Sequence, residues 1–239
     1  MSKAPAEIRG YPVTNRRFRF VDREFSLLGP ANFEALIDEP SVAERFARDE
    51  YLPYWAEFWP ANLLLTDLVA AWGPAPSPSP LVLELGCGLG LTSLVAAHLG
   101  YAVIASDYDD DALAFVLASA RENNITPPIV RRIDWRERYA ELRVDRIIAA
   151  EVLYEARSLR PIAEFIAAHL KPGGSAILVD RSRPTADAFP EIASSCGLQV
   201  TQSPVSWPAN PESGDTNVAP IAGRMFEIRF AEGHTTSDK

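Results

Sequence analysis

Glu84-Leu85-Gly86-Cys87-Gly88-Leu89-Gly90 is the stretch on which the reading of the fold turns. The apolar run 81–85 leads straight into it, and a helical pattern over 92–99, closed by Gly100, follows. A short apolar run that ends in glycines reads as a buried strand. Glycines at alternate positions let the backbone turn tightly and let a ligand approach it closely. Working outward, strands are expected at 103–106, 129–133, 146–150 and 176–179, and helices at 112–120, 159–170 and 186–195. Two further strand-like segments, 198–205 and 224–230, follow with no helix between them, separated by a loop at 206–223 rich in Pro, Asn, Gly and Ser. This alternation predicts an α/β fold: a doubly wound, mostly parallel, seven-strand Rossmann-like sheet finished by an antiparallel hairpin.

Upstream, residues 17–21 alternate as a strand does, and 31–50 read as helical. The segment 51–59 concentrates Tyr51, Tyr54, Trp55, Phe58 and Trp59, and a further helix is expected after Pro60. Four prolines between 73 and 80 forbid both helix and ladder pairing. The expected organisation is an N-terminal α/β extension at 1–72, a linker at 73–80, the main domain at 81–231 and a disordered tail at 232–239.

At 239 residues the chain suffices for one large domain with an extension. The formal net charge of −9 opposes nucleic acid as a partner, and no basic stripe with interleaved aromatics offsets it. No apolar run nears the length of a membrane span, and the N-terminus does not read as a secretory signal. Two cysteines, Cys87 and Cys196, build no disulfide framework in a chain this long, so a reducing, cytoplasmic setting is expected. Three scattered histidines give no metal-ligand spacing, and no metal is expected. Nothing in the pattern speaks to oligomeric state.

Asp107 ends the second strand, twenty-one positions after Gly86, where an acid can accept hydrogen bonds from both ribose hydroxyls of a nucleotide. Turns that bind nicotinamide dinucleotides space their glycines Gly-x-Gly-x-x-Gly; here the third glycine comes one residue early. Glu84 also precedes the loop, and its charge opposes a pyrophosphate but favours a sulfonium or an ammonium. The stretch resembles motif I of the class I, seven-strand S-adenosylmethionine-dependent methyltransferases, with the resemblance extending over roughly residues 81–205. It implies that S-adenosyl-L-methionine is the cofactor and S-adenosyl-L-homocysteine the product. Glu84 would then order the loop and reach the methionine end, with Gly86, Gly88, Gly90 and Asp107 around the rest. In that family an acid after the third strand meets the adenine amino group, which points to Asp134, with Trp135 covering the ring. Ala150, the last residue of the fourth strand, and Trp59 complete the implied cofactor contacts.

Glu151-Val152-Leu153-Tyr154 follows the fourth strand. Methyl transfer from a sulfonium is an in-line displacement that needs alignment, desolvation and a neutral nucleophile. A carboxylate and an aromatic hydroxyl here can hold an amine and stabilise the developing ammonium. An acid followed three positions later by tyrosine resembles the post-strand-4 motif of the seven-strand protein lysine methyltransferases. Pro53-Tyr54-Trp55-Ala56-Glu57-Phe58-Trp59-Pro60 resembles the aromatic segment before motif I in that lineage, which includes the electron-transfer-flavoprotein β-subunit lysine methyltransferase and bacterial nicotinamide N-methyltransferase-like proteins. Glu151 and Tyr154 are the implied catalytic pair. The implied acceptor is a protein lysine or a small nitrogen compound, and the same fold also carries non-catalytic cofactor-binding modules.

Overall fold

The computed structural model describes residues 5–49, 52–207 and 220–231. The chain opens with a small antiparallel sheet of β1 (Glu7–Ile8), β2 (Tyr11–Phe20) and β3 (Arg23–Pro30), in that spatial order. Both hairpin turns have their two central residues at positive φ, Arg9 at 55° and Gly10 at 84°, then Val21 at 49° and Asp22 at 55°. Two-residue type I′ turns require this, because only that backbone twist matches the strands they join. The sequence reading found one strand here, at 17–21, and missed β1 and β3. Val21-Asp22 carries none of the Gly or Asn that normally announces such a turn. Helices α1 (Phe33–Ile37) and α2 (Pro40–Asp49) follow, as expected from 31–50.

After α3 (Ala61–Ala70), residues 73–80 form neither helix nor strand. Strands and helices then alternate through β4 (Leu81–Leu85), α4 (Leu91–His98), β5 (Ala102–Asp107), α5 (Asp110–Glu122) and β6 (Ile129–Arg132). The second half runs through β7 (Val144–Ala150), α6 (Ala156–His169), β8 (Leu170–Asp180), α7 (Phe189–Ser195), β9 (Leu198–Trp207) and β10 (Ile221–Phe230). The seven-strand sheet has the order β6-β5-β4-β7-β8-β10-β9. Its first five strands are parallel, and β10 runs antiparallel to both β8 and β9. The α/β, doubly wound fold with a closing hairpin is therefore present. Several boundaries differ from expectation, and β9 and β10 extend into the expected loop, to Trp207 and from Ile221. β8 begins at Leu170, with a register shift opposite Val144 and Arg146 that absorbs Lys171-Pro172-Gly173-Gly174. The helix expected at 186–195 divides into a 3-10 turn, Pro184–Ala188, and α7. Of the predicted loop 206–223, residues 208–219 lie outside the described residues, as does the predicted tail 232–239.

The period-two alternation of the strands sorts side chains onto two helical layers. Val82, Ile148 and Ala150 join the core beneath α3, α4, α5 and the N-terminal hairpin. Leu83, Leu85, Ile147 and Ala149 join the core beneath α6 and α7. The hairpin is bound to α5 by polar contacts as well. Asn123 accepts from the Ser26 amide (2.8 Å) and donates to the Ser26 carbonyl (2.6 Å), while Ser119 Oγ accepts from the Leu28 amide (3.0 Å). Tyr11 Oη and Arg9 Nε both donate to Asp111 at the start of α5. These bonds place β2 beside the aromatic segment 52–59, where Tyr11 meets Trp55 edge-on and Phe18 meets Phe58. No helix of the described residues is long and apolar enough to cross a membrane.

Val21 is a β-branched residue held in the left-handed region, a conformation that costs such residues about 1–2 kcal/mol. Replacing Val21-Asp22 by Asn-Gly should raise the urea midpoint of unfolding and add about 1 kcal/mol of stability. An unchanged or lower midpoint would show that this turn is not strained.

Candidate active site

The parallel strands end their carboxyl termini at one edge of the sheet, and the topological switch lies where β4 has β5 on one side and β7 on the other. Ligands of open α/β sheets bind in that crevice. Here it is a cleft of about 500 Å³, formed by the β4–α4 loop, the ends of β5, β6 and β7, Arg183 beyond β8, and the aromatic segment as its roof.

Gly86, Gly88 and Gly90 all have positive φ, at 66°, 52° and 80°, so the loop backbone bends where side chains would be strained. Space matters as well. A Cβ on Gly90 would stand 2.6 Å from Val116 Cγ2, and one on Gly86 would stand 3.1 Å from Val152 Cγ1. Asp107 ties this loop down: Oδ2 accepts from the Gly88 amide (2.9 Å) and Oδ1 from the Asp109 amide (3.1 Å). Burial pushes the Asp107 carboxyl up to about 6, against the pull of those amides.

Ten of the eleven residues named from the sequence line this cleft: Trp59, Gly86, Gly88, Gly90, Asp107, Asp134, Trp135, Ala150, Glu151 and Tyr154. Glu84 is placed differently. It lies beneath the loop, 1% exposed, where Ser93 Oγ donates to its Oε2. It shares a strand face with Val82 and is therefore directed at α4 rather than into the cleft. Burial pushes its carboxyl up to about 7 although Ser93 and Thr92 favour the charge.

Asp134 reaches the cleft already engaged. Arg136 bonds both of its oxygens through Nε (2.8 and 3.1 Å) and Nη2 (2.6 Å). Burial alone would raise this carboxyl, but the guanidinium holds it below the usual carboxylate range. Glu57 accepts from Arg16 Nη1 (3.0 Å) and from the Phe58 amide (2.7 Å), so it braces the roof against β2. Trp59 is fixed by its Nε1, which donates to the Tyr54 carbonyl (2.8 Å).

At the far end, Glu151 has a φ of 56° and its side chain is 7% exposed. Left-handed backbone at a residue other than glycine is uncommon and marks a position held by its surroundings. The turn follows directly from β7, since the Glu151 amide still donates to the Val179 carbonyl (2.9 Å). Oε2 accepts from Arg183 Nε (2.8 Å). Oε1 is the one buried side-chain polar atom without a partner among the described residues. Beside it, Tyr154 packs edge-on against Tyr54 at 5.6 Å between centroids. Burial, reinforced by Glu155, raises the Tyr154 phenol to about 12, so it stays a neutral hydroxyl at neutral pH. Arg183, Arg136 and Tyr54 are the contributors that the sequence reading did not select. Arg136 had a local signal, an opposite charge two positions from Asp134. Arg183 had none, because thirty-two positions separate it from Glu151.

A doubly wound sheet with a glycine-turned loop at its switch point places the cleft where open α/β sheets hold their ligands. The chain belongs to the methyltransferase domain family, whose profile matches residues 55–211. No curated protein matches it. Among solved structures it is similar to a ribosomal protein L11 methylase from Lactobacillus delbrueckii subsp. bulgaricus, with 16% identity and a TM-score of 0.53 over 70% of this chain and 77% of that one. It is similar to a SAM-dependent methyltransferase from Methanosarcina mazei, with 14% identity and a TM-score of 0.51 over 64% and 94%. The CcbJ methyltransferase from Streptomyces caelestis gives 16% identity and a TM-score of 0.51 over 73% and 97%. At these identities the likeness establishes the fold.

Glu84 provides a check on this electrostatic description. A carboxyl raised on folding favours the folded state fully below its unfolded value, near 4.5, and that contribution is lost as pH rises through about 7. Ligand-free protein should therefore lose up to about 3 kcal/mol between these limits, and Glu84→Gln should remove that part of the slope. Parallel urea titrations of both proteins across this range measure the difference; coincident slopes would place the Glu84 charge in a well-solvated site.

Proposed function

We propose that this methyltransferase moves a methyl group from S-adenosylmethionine to a nitrogen atom, and that its acceptor is the ε-amine of a protein lysine. The observation that carries the reading is the buried, unpartnered Oε1 of Glu151, a residue that lines the same cleft as Tyr154. A buried carboxylate oxygen without a donor is costly, and an N–H of the acceptor supplies that donor.

Four features support the choice of cofactor. Asp107 accepts the Gly88 amide on Oδ2 and the Asp109 amide on Oδ1, and the roughly four acceptor sites of a carboxylate leave capacity for a ribose hydroxyl. The glycine loop lets a ligand lie against bare backbone. Glu84, balanced between neutral and charged forms below that loop, gives a cation above it a carboxylate whose ionised form the cation favours. Trp135 supplies an aromatic face for the adenine, and Asp134 can accept from the adenine amino group only by sharing oxygens with Arg136. Bound in this way, S-adenosylmethionine supplies an electrophilic sulfonium methyl and leaves as S-adenosylhomocysteine.

For the acceptor, Oε1 of Glu151 takes one N–H and so turns the nitrogen lone pair toward the methyl. Tyr154, kept neutral, and Tyr54 form aromatic walls suited to the lysine stem and to the cation that develops on nitrogen. The phenol is too weak an acid to serve as a base, so alignment rather than proton transfer is the role of this end of the cleft.

Asp107→Ala should weaken S-adenosylmethionine binding by roughly 10-fold or more, since a hydrogen bond to a charged group contributes about 1.5–3 kcal/mol. Unchanged affinity by calorimetry would remove Asp107 from the cofactor site. Glu151→Gln and Tyr154→Phe should each lower turnover by roughly 10- to 100-fold while donor affinity stays nearly constant. The assay is transfer of radiolabelled methyl to a cell lysate, resolved by size. Label in protein hydrolysed to methyl-lysine supports the reading. Label only in small amines or nicotinamide would assign the acceptor to that class, and full activity in both variants would move the acceptor site elsewhere.

A further inference from the structure

Arg183 is held in place more firmly than a surface arginine needs to be. Its backbone amide donates to Asp180 Oδ1 (3.0 Å) and Oδ2 (3.3 Å), and its carbonyl accepts from Arg224 Nη2 (2.6 Å). Asp180 is itself fully buried and bonded to Arg224 Nε (3.2 Å). Ser182, at a φ of 60°, makes the bend that returns the chain toward β7. The result is a guanidinium preset against Oε2 of Glu151, leaving the buried Oε1 of this cleft-lining residue without a partner.

This arrangement bears on a requirement of the reaction. An alkyl amine near neutral pH is an ammonium, with a reference pKa of about 10.4 for lysine, and an ammonium has no lone pair to attack with. A lone carboxylate in a partly desolvated cleft would make matters worse, because an opposite charge within a few ångströms favours the protonated amine. Arg183 opposes that effect. Its charge compensates Glu151 through Oε2, so a cation at Oε1 meets a nearly neutral pair, while Oε1 can still accept a hydrogen bond from a neutral amine.

The other charged and titratable groups near this end do not replace it. From the roof come Tyr54 and Glu57, the latter paired with Arg16. The start of α6 brings Tyr154 and Glu155, and Glu155 is paired with Arg157. Asp180 behind Arg183 is paired with Arg224, and Asp107 at the end of β5 is bonded to backbone amides.

We propose that Arg183 is a positioning residue that keeps the acceptor amine neutral, by compensating Glu151 through one oxygen while the other orients the nitrogen. The inference rests on the nitrogen-acceptor reading. The ammonium releases its proton to solvent before attack; the N–C bond then forms as the S–C bond breaks, and the sulfonium charge passes to nitrogen. The methylammonium produced meets the same compensated pair, which aids its release.

The test uses n-butylamine as a lysine-stem probe, titrated by calorimetry at pH 7 into the full chain with S-adenosylhomocysteine present. Arg183→Met should bind butylammonium at least about tenfold more tightly than the unaltered protein, because Glu151 is then uncompensated. Arg183→Lys, which keeps the charge, should return the affinity toward the original value. Glu151→Gln should bind more weakly. Arg183→Gln provides a second neutral variant, and thermal melts confirm that each protein is folded. Equal or weaker binding by both neutral variants, with Glu151→Gln still weakened, overturns the role of Arg183 and leaves Glu151 as the amine site. If Glu151→Gln binds as well as the original chain, the acceptor reading itself falls, and the inference with it. Absence of butylammonium binding in all the proteins overturns both.

Discussion

The bond from the Gly88 amide to Asp107 Oδ2 is the contact on which the cleft depends. It joins the loop after β4 to the end of β5 across the switch point, so the crevice has a floor of fixed backbone. The loop can take that path because three glycines accept left-handed geometry, and because Gly90 sits where a Cβ would collide with Val116. The aromatic roof, the ends of β6 and β7 and the Arg183 loop all close over a shape that this contact sets.

Three acidic side chains near the cleft serve different ends because their surroundings differ. Glu84 is buried against α4 and balanced between neutral and charged forms near neutral pH. Asp107 is buried but bonded to amides, and stays mostly ionised there. Glu151 stands at a strained turn with one oxygen satisfied by a guanidinium and one buried without a partner. Desolvation raises the carboxyls of Glu84 and Asp107. Folding tolerates an unsatisfied oxygen and a left-handed glutamate when the rest of the sheet over-determines them, as sites for ligands commonly require.

The N-terminal sheet contributes through contact rather than through chemistry. Asn123 and Ser119 bind its backbone to α5, and its aromatic face meets Trp55 and Phe58. Glu57, which a motif comparison could assign to the site, is occupied by Arg16 of β2. The roof is thus braced from outside the sheet that bears the cofactor crevice.

The sequence by itself determined the α/β alternation, the closing hairpin, the glycine-turned loop and the acids at or just past the ends of β4, β5, β6 and β7. Those features rest on local periods and spacings: apolar runs for buried strands, a fixed distance from glycine to acid, a residue type at a strand end. It did not reveal β3, because Val21-Asp22 makes a tight turn without Gly or Asn and with a β-branched residue at its first position. Nor did it reveal that Glu84 points under α4, that Arg136 holds Asp134, or that Arg183 takes one oxygen of Glu151. Which partner a charged side chain meets at the end of a sheet depends on how separate loops converge there. Only the tertiary structure brings residue 183 to residue 151, because the turn at Ser182 and the buried Asp180–Arg224 pair direct that loop back over β7.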